Sequence, residues 1–362
     1  MIDHYYAVIM AGGGGTRLWP LSRQARPKQM VSLFDERSLF QTSVERIRDI
    51  FPVENIYVVT VEEQARELQA QSPYIPVGNF IIEPTPRGTA SVVGLAAITL
   101  QKRDPQAIMA ILTSDHYIGN EENFRETLQT ACSVAQDGYL VTLGITPTFP
   151  ATGYGYIQRG QFIKKYDHTD VYKVIRFTEK PDEKQVKAML DGGDHTWNSG
   201  MFVWKTEQIL SEFKRQMPEL YRTLEQISLA WDTPDWKKTV DNVWPHLKQE
   251  TIDYGIMEGA QNIAVIPAAN LQWSDVGSWD SLFEVLPTDK DGNIVMGGAH
   301  VGLDTTDSLI YLSQERRLIV TIGVSGLILV DTGDVLMVCS KDQAQKVRQV
   351  VNYLRKTNQH YV

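Results

Sequence analysis

Cysteine is nearly absent from this chain: Cys132 and Cys339 are the only two in 362 residues. Two thiols about 200 residues apart offer no disulfide framework and no cysteine-based metal site, which predicts reduced core thiols in a cytoplasmic protein. No stretch approaches the ~18 consecutive apolar residues of a membrane-spanning helix. The first residues, Met-Ile-Asp-His-Tyr-Tyr, lack the basic-then-apolar pattern of a secretory leader. Neither a membrane span nor a leader is therefore expected. Positive charge is also in deficit, with 35 Lys and Arg against 44 Asp and Glu and a formal net charge of −9. That balance argues against a general nucleic-acid binder, which presents a basic face. An acidic chain can still bind phosphates where its basic residues gather locally.

Tyr6–Ala11 is a short apolar run that ends in four consecutive glycines, Gly12–Gly15. It reads as a buried strand entering a loop. Further β-rich runs lie at Ile56–Val61, Asn79–Ile82, Ala107–Leu112 and Tyr139–Gly144. Helical patterns fall between them, at Leu39–Ile50, Glu62–Gln71, Ala90–Lys102 and Glu122–Gln136. Alternation at this spacing predicts βαβ units and an α/β fold with a mostly parallel sheet. Ligands bind such sheets at the carboxyl ends of the strands. Past residue 145 a strand is expected at Tyr172–Phe177 and a helix at Asp182–Leu190. One or two helices, broken at Pro218, are expected at Glu207–Leu229. From Asn293 to Ser340 short β-branched runs alternate with Gly and Asp, which predicts a stacked coil of short strands closed by a helix over Asp342–Lys356. The boundary is placed at 285, dividing the chain into 1–285 and 286–362.

The glycine run continues as Thr16-Arg17-Leu-Trp-Pro-Leu-Ser-Arg23 and then Arg26-Pro-Lys28-Gln29. Glycines let the backbone approach a ligand closely with its N–H groups free for phosphate oxygens. Arg17 and Lys28 add the matching charge. A Walker A loop would end in Gly-Lys-Ser/Thr, and a dinucleotide-binding fingerprint would place a third glycine where Arg17 stands. A nucleotide-binding dehydrogenase is disfavoured on that ground.

The pattern Gly-Gly-x-Gly-Thr-Arg-Leu-x-Pro-Leu-Ser followed by Pro-Lys resembles the sugar-1-phosphate nucleotidyltransferases. With Trp19, Ser22-Arg23 and Pro27-Lys28-Gln29 it is most similar to their mannose-1-phosphate guanylyltransferase branch. Further segments match in order: Glu83-Pro-Thr-Pro-Arg87-Gly88-Thr89-Ala90, Leu112-Thr-Ser-Asp115-His116, Thr152-Gly153-Tyr-Gly-Tyr-Ile157, Phe177-Thr-Glu179-Lys180-Pro181, Trp197-Asn198-Ser-Gly-Met-Phe202, Asp253-Tyr-Gly-Ile-Met-Glu258 and Trp273-Ser-Asp275-Val-Gly-Ser-Trp279. The resemblance implies a Rossmann-like, glycosyltransferase A-like sheet with a short left-handed β-helix-like domain and a terminal helix after it. It also implies transfer of GMP from GTP to mannose 1-phosphate, giving GDP-mannose and pyrophosphate. Gly12, Gly13, Gly14, Gly15, Thr16 and Arg17 would hold the triphosphate, and Arg17 and Lys28 would neutralise it. Asp115 and Asp275 would bind Mg²⁺. Gly153, Glu179, Lys180 and Asn198 would hold the sugar phosphate.

Glu83, with Arg87, Gly88 and Thr89 beside it, stands where relatives that use uridine or thymidine nucleotides carry Gln. Guanine presents two adjacent donors, N1–H and N2–H₂, to which a carboxylate is the matching acceptor. Gly88 would give the base room; many guanylyltransferases have Asn at that position, so the chain departs from the pattern there. His116 reads as a supporting residue, since imidazole is a poor magnesium ligand. Asp253 reads as a helix cap or a residue supporting the site. The nucleophile would be an ionised phosphate oxygen that needs no general base. The β appendage implies a homodimer, and the length leaves no room for the isomerase domain of bifunctional relatives. The alternatives are a nucleotidyltransferase for another hexose or base, and a silent ligand-sensing subunit, which the intact set of carboxylates and basic residues disfavours.

Overall fold

The structure, a computed structural model, describes residues 2–13, 15–166, 168–313 and 317–362. In chain order the longer elements begin with β1 (Tyr5–Met10), α1 (Leu39–Glu45), β2 (Ile56–Val61), α2 (Glu62–Gln71), β3 (Phe80–Glu83) and α3 (Thr89–Arg103). Next come β4 (Ile108–Thr113), β5 (Tyr117–Ile118), α4 (Glu121–Gln136), β6 (Leu140–Ile145), β7 (Tyr156–Tyr166), β8 (Thr169–Thr178), α5 (Glu183–Gly192) and β9 (His195–Lys205). They are followed by α6 (Thr206–Gln216), α7 (Pro218–Leu229), α8 (Trp236–Val243), β10 (Ile263–Ala268) and β11 (Trp273–Ser274). The chain ends with β12 (Ile294–Gly297), β13 (Ala299–Thr306), β14 (Leu309–Leu312), β15 (Leu318–Ser325), β16 (Leu327–Asp331), β17 (Leu336–Ser340) and α9 (Val347–Thr357).

These elements form two compact units, neither of them one continuous stretch of chain. The first unit comprises Met1–Gly12, Ser43–Ser114 and Asn120–Leu271. Its nine-stranded sheet has the order β3-β2-β1-β4-β9-β6-β10-β8-β7. Strands β3, β2, β1, β4, β6 and β10 run the same way. β9 enters antiparallel between β4 and β6. All six residues of β2 are buried, as expected of a parallel strand covered on both faces. Helix α3 is buried along Ala90–Leu100, and its small residues let α6 and α7 pack closely on it. The helix break expected at Pro218 is present, with the proline in the first turn of α7, where its missing N–H costs nothing. Because β1, β3 and β4 are parallel, Ala11–Gly12, Glu83 and Ser114 leave the sheet along one edge.

The second unit comprises Gly13–Thr42, Asp115–Gly119 and Gln272–Val362. Strands β12, β14 and β16 stack in parallel, with β17 antiparallel at the end, while β13 and β15 pair in parallel as another face of the coil. The interior holds Ile294, Leu309, Ile328 and Val330, and Leu18, Trp19 and Leu33 from the early chain join the same core. The Trp279 indole donates to the Trp19 carbonyl at 2.9 Å, and the Trp19 indole donates to the Tyr361 carbonyl at 2.6 Å. The glycine-loop segment is thus built into the core of the C-terminal coil rather than into that of the large sheet.

Candidate active site

In the second unit the glycine loop crosses the Pro27-Lys28 turn at Gly15. Its φ is +36°, and a Cβ there would lie 2.4 Å from the Lys28 Cβ, so the crossing admits only glycine. Ser22 fixes it from the other side, its hydroxyl donating to the Gly15 carbonyl at 2.6 Å. Lys28 is buried, and its ammonium donates to Asp115 Oδ2 at 2.9 Å and to the Asp275 carbonyl at 2.5 Å. The two aspartates, remote in sequence, meet because β5 pairs antiparallel with β11, setting Tyr117 opposite Ser274. Gly15, Arg17, Lys28, Asp115, His116 and Asp275 line one cavity of about 170 Å³.

The charges in this cavity balance locally. Burial would raise the Asp115 carboxyl, but Lys28, His116 and Arg17 outweigh it and hold the group below the ordinary carboxylate range. Asp275 Oδ1 accepts from the Gly277 N–H at 3.0 Å. The next residue, Val276, is β-branched yet has φ +46°, a strained conformation of the kind that collects at functional sites. The Trp273 indole donates to His116 Nδ1 at 3.2 Å, which leaves Nε2 facing Asp115 Oδ1 at 3.9 Å. His116 is thereby held as a support for Asp115. Two carboxylates with oxygen donors, one kept ionised by its neighbours, suit a hard divalent cation that completes its shell with phosphate oxygens and water.

In the first unit Glu83 closes β3. It is 2% exposed, and its Oε2 has no hydrogen-bond partner among the described residues. Burial pushes its carboxyl up to about 7, against the pull of a hydrogen bond from the Arg87 N–H. A Cβ on Gly12 would come within 3.2 Å of Glu83 Oε1, so the glycine keeps the approach to this carboxylate open. Gly88 has φ +86°, and the space a side chain would take is filled by the Glu250 carbonyl, 2.1 Å from an ideal Cβ. The Glu250 backbone, not a base, explains the glycine there. Thr89 Oγ1 accepts from the Ile252 N–H at 2.9 Å.

The expected sugar segments also lie in the first unit. Lys180 Nζ pairs with Glu179 Oε1 at 2.9 Å, and Lys180 has the strained φ of +46°. The Asn198 N–H donates to the Gly155 carbonyl at 2.8 Å. A Cβ on Gly155 would lie 2.3 Å from Glu179 Oε2, whereas one on Gly153 would meet nothing within 4 Å. Gly153 thus borders open space, while at Gly155 the backbone passes close to the Glu179 carboxylate. Asn198 Nδ2 donates to Asp253 Oδ1 at 2.6 Å. Asp253 is raised by burial and by the Glu179 charge, although the Asn198 bond draws it down.

The expected residues thus gather in three groups. Arg17, Lys28, Asp115 and Asp275 share the second unit's cavity, together with Gly15 and close to Thr16. Glu83, Arg87, Gly88 and Thr89 surround the start of α3. Glu179 and Asn198 approach Gly155, with Lys180 paired to Glu179. Gly13 is exposed, and Gly14 lies outside the described residues. Sequence reasoning missed the Glu250–Ile252 backbone and the Asn198–Asp253 pair. Only the acidic residue at the start of the Asp253–Glu258 segment signalled the latter.

Residues 6–292 match the family model described as nucleotidyl transferase, and residues 298–354 match that of the MannoseP isomerase/GMP-like beta-helix domain. A mannose-1-phosphate guanylyltransferase of Klebsiella pneumoniae is 36% identical over 356 residues, covering 96% of this chain and 74% of the relative. One from Salmonella montevideo is 37% identical over 365 residues, covering 98% and 74%. The chain belongs to the mannose-1-phosphate guanylyltransferase family. A solved structure from Thermus thermophilus, described as a mannose-1-phosphate geranyltransferase, superimposes with a TM-score of 0.86 at 34% identity, covering 97% of this chain and 99% of that one. The family's nucleotidyl transferases work with a divalent metal, a nucleoside triphosphate and a sugar phosphate. The carboxylate pair in the small cavity and the buried unpartnered Glu83 are the features of this chain that suit such ligands.

Proposed function

We propose that this protein transfers GMP from GTP to α-D-mannose 1-phosphate, releasing pyrophosphate and giving GDP-mannose. The observation that carries the reading is the cavity in which Lys28 and Arg17 stand with Asp115 and Asp275, two acids beside two cations on a glycine loop. Asp115 and Asp275 would hold Mg²⁺, which when bound supplies charge neutralisation at the phosphate oxygens. The chain's own residues do the rest. Arg17, exposed on its short helical turn, meets the triphosphate with a planar fork of donors. Lys28 has two of its three N–H groups committed, to Asp115 and Asp275, and offers the third. The N–H groups of Gly12–Gly15 and Thr16 cradle phosphate oxygens, while Glu83, with Arg87, Gly88 and Thr89, reads the guanine edge. Glu179, Lys180 and Asn198, with Gly153, hold the sugar phosphate, whose oxygen attacks the α-phosphorus in line. Rate enhancement comes from positioning and electrostatics, without a general base.

A panel of nucleoside triphosphates against hexose 1-phosphates, with pyrophosphate release as readout, tests this. GTP with mannose 1-phosphate should be turned over fastest; turnover confined to another pair would overturn the assignment. The protein is further read as a homodimer of a cytoplasmic enzyme. The paired strands β13 and β15 support the dimer: Val301, Leu303, Leu318, Val320 and Ile322 are all more than half exposed on that sheet. A second copy of the same face is the self-complementary partner such a patch fits.

A further inference from the structure

We propose that Asp253 is a positioning residue for the sugar phosphate, acting through Asn198. The proposal rests on the reading of Asn198 as a sugar-binding residue and adds what makes it one. The Asn198 amide is fixed at both ends: Nδ2 donates to Asp253 Oδ1 at 2.6 Å, and Oδ1 accepts from the Gly200 N–H at 3.1 Å. These two bonds decide which way the amide faces, and they leave one N–H and one oxygen lone pair for a ligand. Without Asp253 the amide loses its strongest restraint and can turn about its last torsion.

Asp253 can serve as an anchor because its own segment is tied down on several sides. It opens a π-helical turn, Asp253–Met257, closed by the Glu258 N–H on the Asp253 carbonyl at 3.0 Å. Such turns are rare and recur at functional sites. Just before it the Glu250 N–H donates to the Arg87 carbonyl at 3.2 Å, and the Ala90 N–H returns a bond to the Glu250 carbonyl at 3.2 Å. The Ile252 N–H donates to Thr89 Oγ1 at 2.9 Å, and after the carboxylate Gln216 Nε2 holds the Ile256 carbonyl at 3.0 Å. The strap Glu250–Asp253 is thus hydrogen-bonded at one end to the Arg87–Ala90 turn and at the other to Asn198. A defect at Asp253 should reach sugar-phosphate binding without touching the turn.

The test is steady-state kinetics on the full chain, varying mannose 1-phosphate at saturating GTP and the reverse. Asp253→Ala, Asp253→Asn, Asn198→Ala and the Asp253→Ala/Asn198→Ala pair are compared, with thermal midpoints measured alongside. Loss of a charged hydrogen bond predicts a KM for mannose 1-phosphate raised roughly ten- to hundredfold in Asp253→Ala. The KM for GTP should stay within about twofold, a split that general loosening of the fold would not give. Asp253→Asn keeps an oxygen for Asn198 Nδ2 and should restore most of the affinity. In the pair the second substitution should add nothing, since both act through one group. Equal rises in both KM values, additive losses in the pair, or an Asn variant as impaired as the Ala variant would each overturn the proposal. Wild-type enzyme that ignores mannose 1-phosphate would instead overturn the underlying reading. If Asp253→Ala does not fold, Asp253→Leu, which keeps the shape of the side chain but offers no acceptor to Asn198 Nδ2, takes its place in every comparison.

Discussion

Replacing Glu83 by Gln should weaken selectivity for GTP and at the same time stabilise the ligand-free protein. The carboxyl is buried, one of its oxygens is unpartnered among the described residues, and its pKa is raised from 4.5 to about 7. An acid whose folded pKa is raised holds its proton more tightly in the folded state. The folded protein therefore loses stability as pH rises above 4.5, and the loss levels off above about pH 7 at roughly 3 kcal/mol. A Gln side chain removes that pH-dependent cost. Guanine N1–H and N2–H₂ would supply the donors the carboxylate lacks, so GTP selects the ionised form. Below about pH 7 wild-type binding then takes a proton off Glu83, and affinity should fall by up to about tenfold per pH unit. In the variant this slope disappears. One charged hydrogen bond is lost and an N–H is turned toward an N–H, which should lower the GTP:UTP ratio of kcat/KM by about 10²-fold. Pyrophosphate release with each nucleotide, and differential scanning fluorimetry from about pH 5.5 to 8.5, measure the two effects on either side of the shifted carboxyl. An unchanged GTP:UTP ratio together with wild-type pH dependence of the thermal midpoint would refute the reasoning.

Asp115→Asn and Asp275→Asn should each reduce turnover at least about 10³-fold; the thermal midpoint should fall in Asp115→Asn, which leaves the buried Lys28 ammonium without its counter-charge, and change less in Asp275→Asn, whose bond to Lys28 is through the backbone carbonyl. Near-normal rates in magnesium would remove them from the metal site. Gly15→Ala should cost about 2–4 kcal/mol locally from the Lys28 clash and the left-handed backbone, read as loss of activity together with a lowered denaturation midpoint. Ile322→Asp, alone or with Val320→Asp, should convert a dimer to a monomer in sedimentation velocity with the catalytic rate per chain retained; an unaltered sedimentation coefficient would clear the β13–β15 face of that role.

The parts of the fold that sequence made legible are those whose signal is local. β1, β2 and β4 are uninterrupted apolar runs because both faces of a parallel strand are covered, and the break at Pro218 follows from the missing N–H of proline. β9 was readable only as the motif around Asn198, because a strand inserted antiparallel between two parallel ones has no local mark of its direction. β7 has no counterpart among the expected strands, since its polar, half-exposed residues beyond Ile157 resemble a loop. The division into units was equally hidden. Leu18 and Trp19 follow the strand–loop pattern of the first sheet, yet pack beside Trp279 and Leu309.

The candidate site divides along the same line. Residue types at strand ends pointed to Asp115 and the glycine loop, because a carboxylate and a run of glycines there have few structural uses, whereas Glu83 stood out only through the family resemblance. What each residue touches depends on long-range pairings with no local signature. Lys28 was expected on a phosphate, and its ammonium is shared between Asp115 and the Asp275 backbone. The two-residue pairing of β5 with β11 that creates this geometry is too short to be seen in a hydropathy pattern. Gly88 was assigned to the base, while the Glu250 carbonyl occupies the space above it. In both cases the residue type is legible and these protein partners are not, since a side chain advertises which bonds it can make but only the topology decides which atoms of the chain are there to make them.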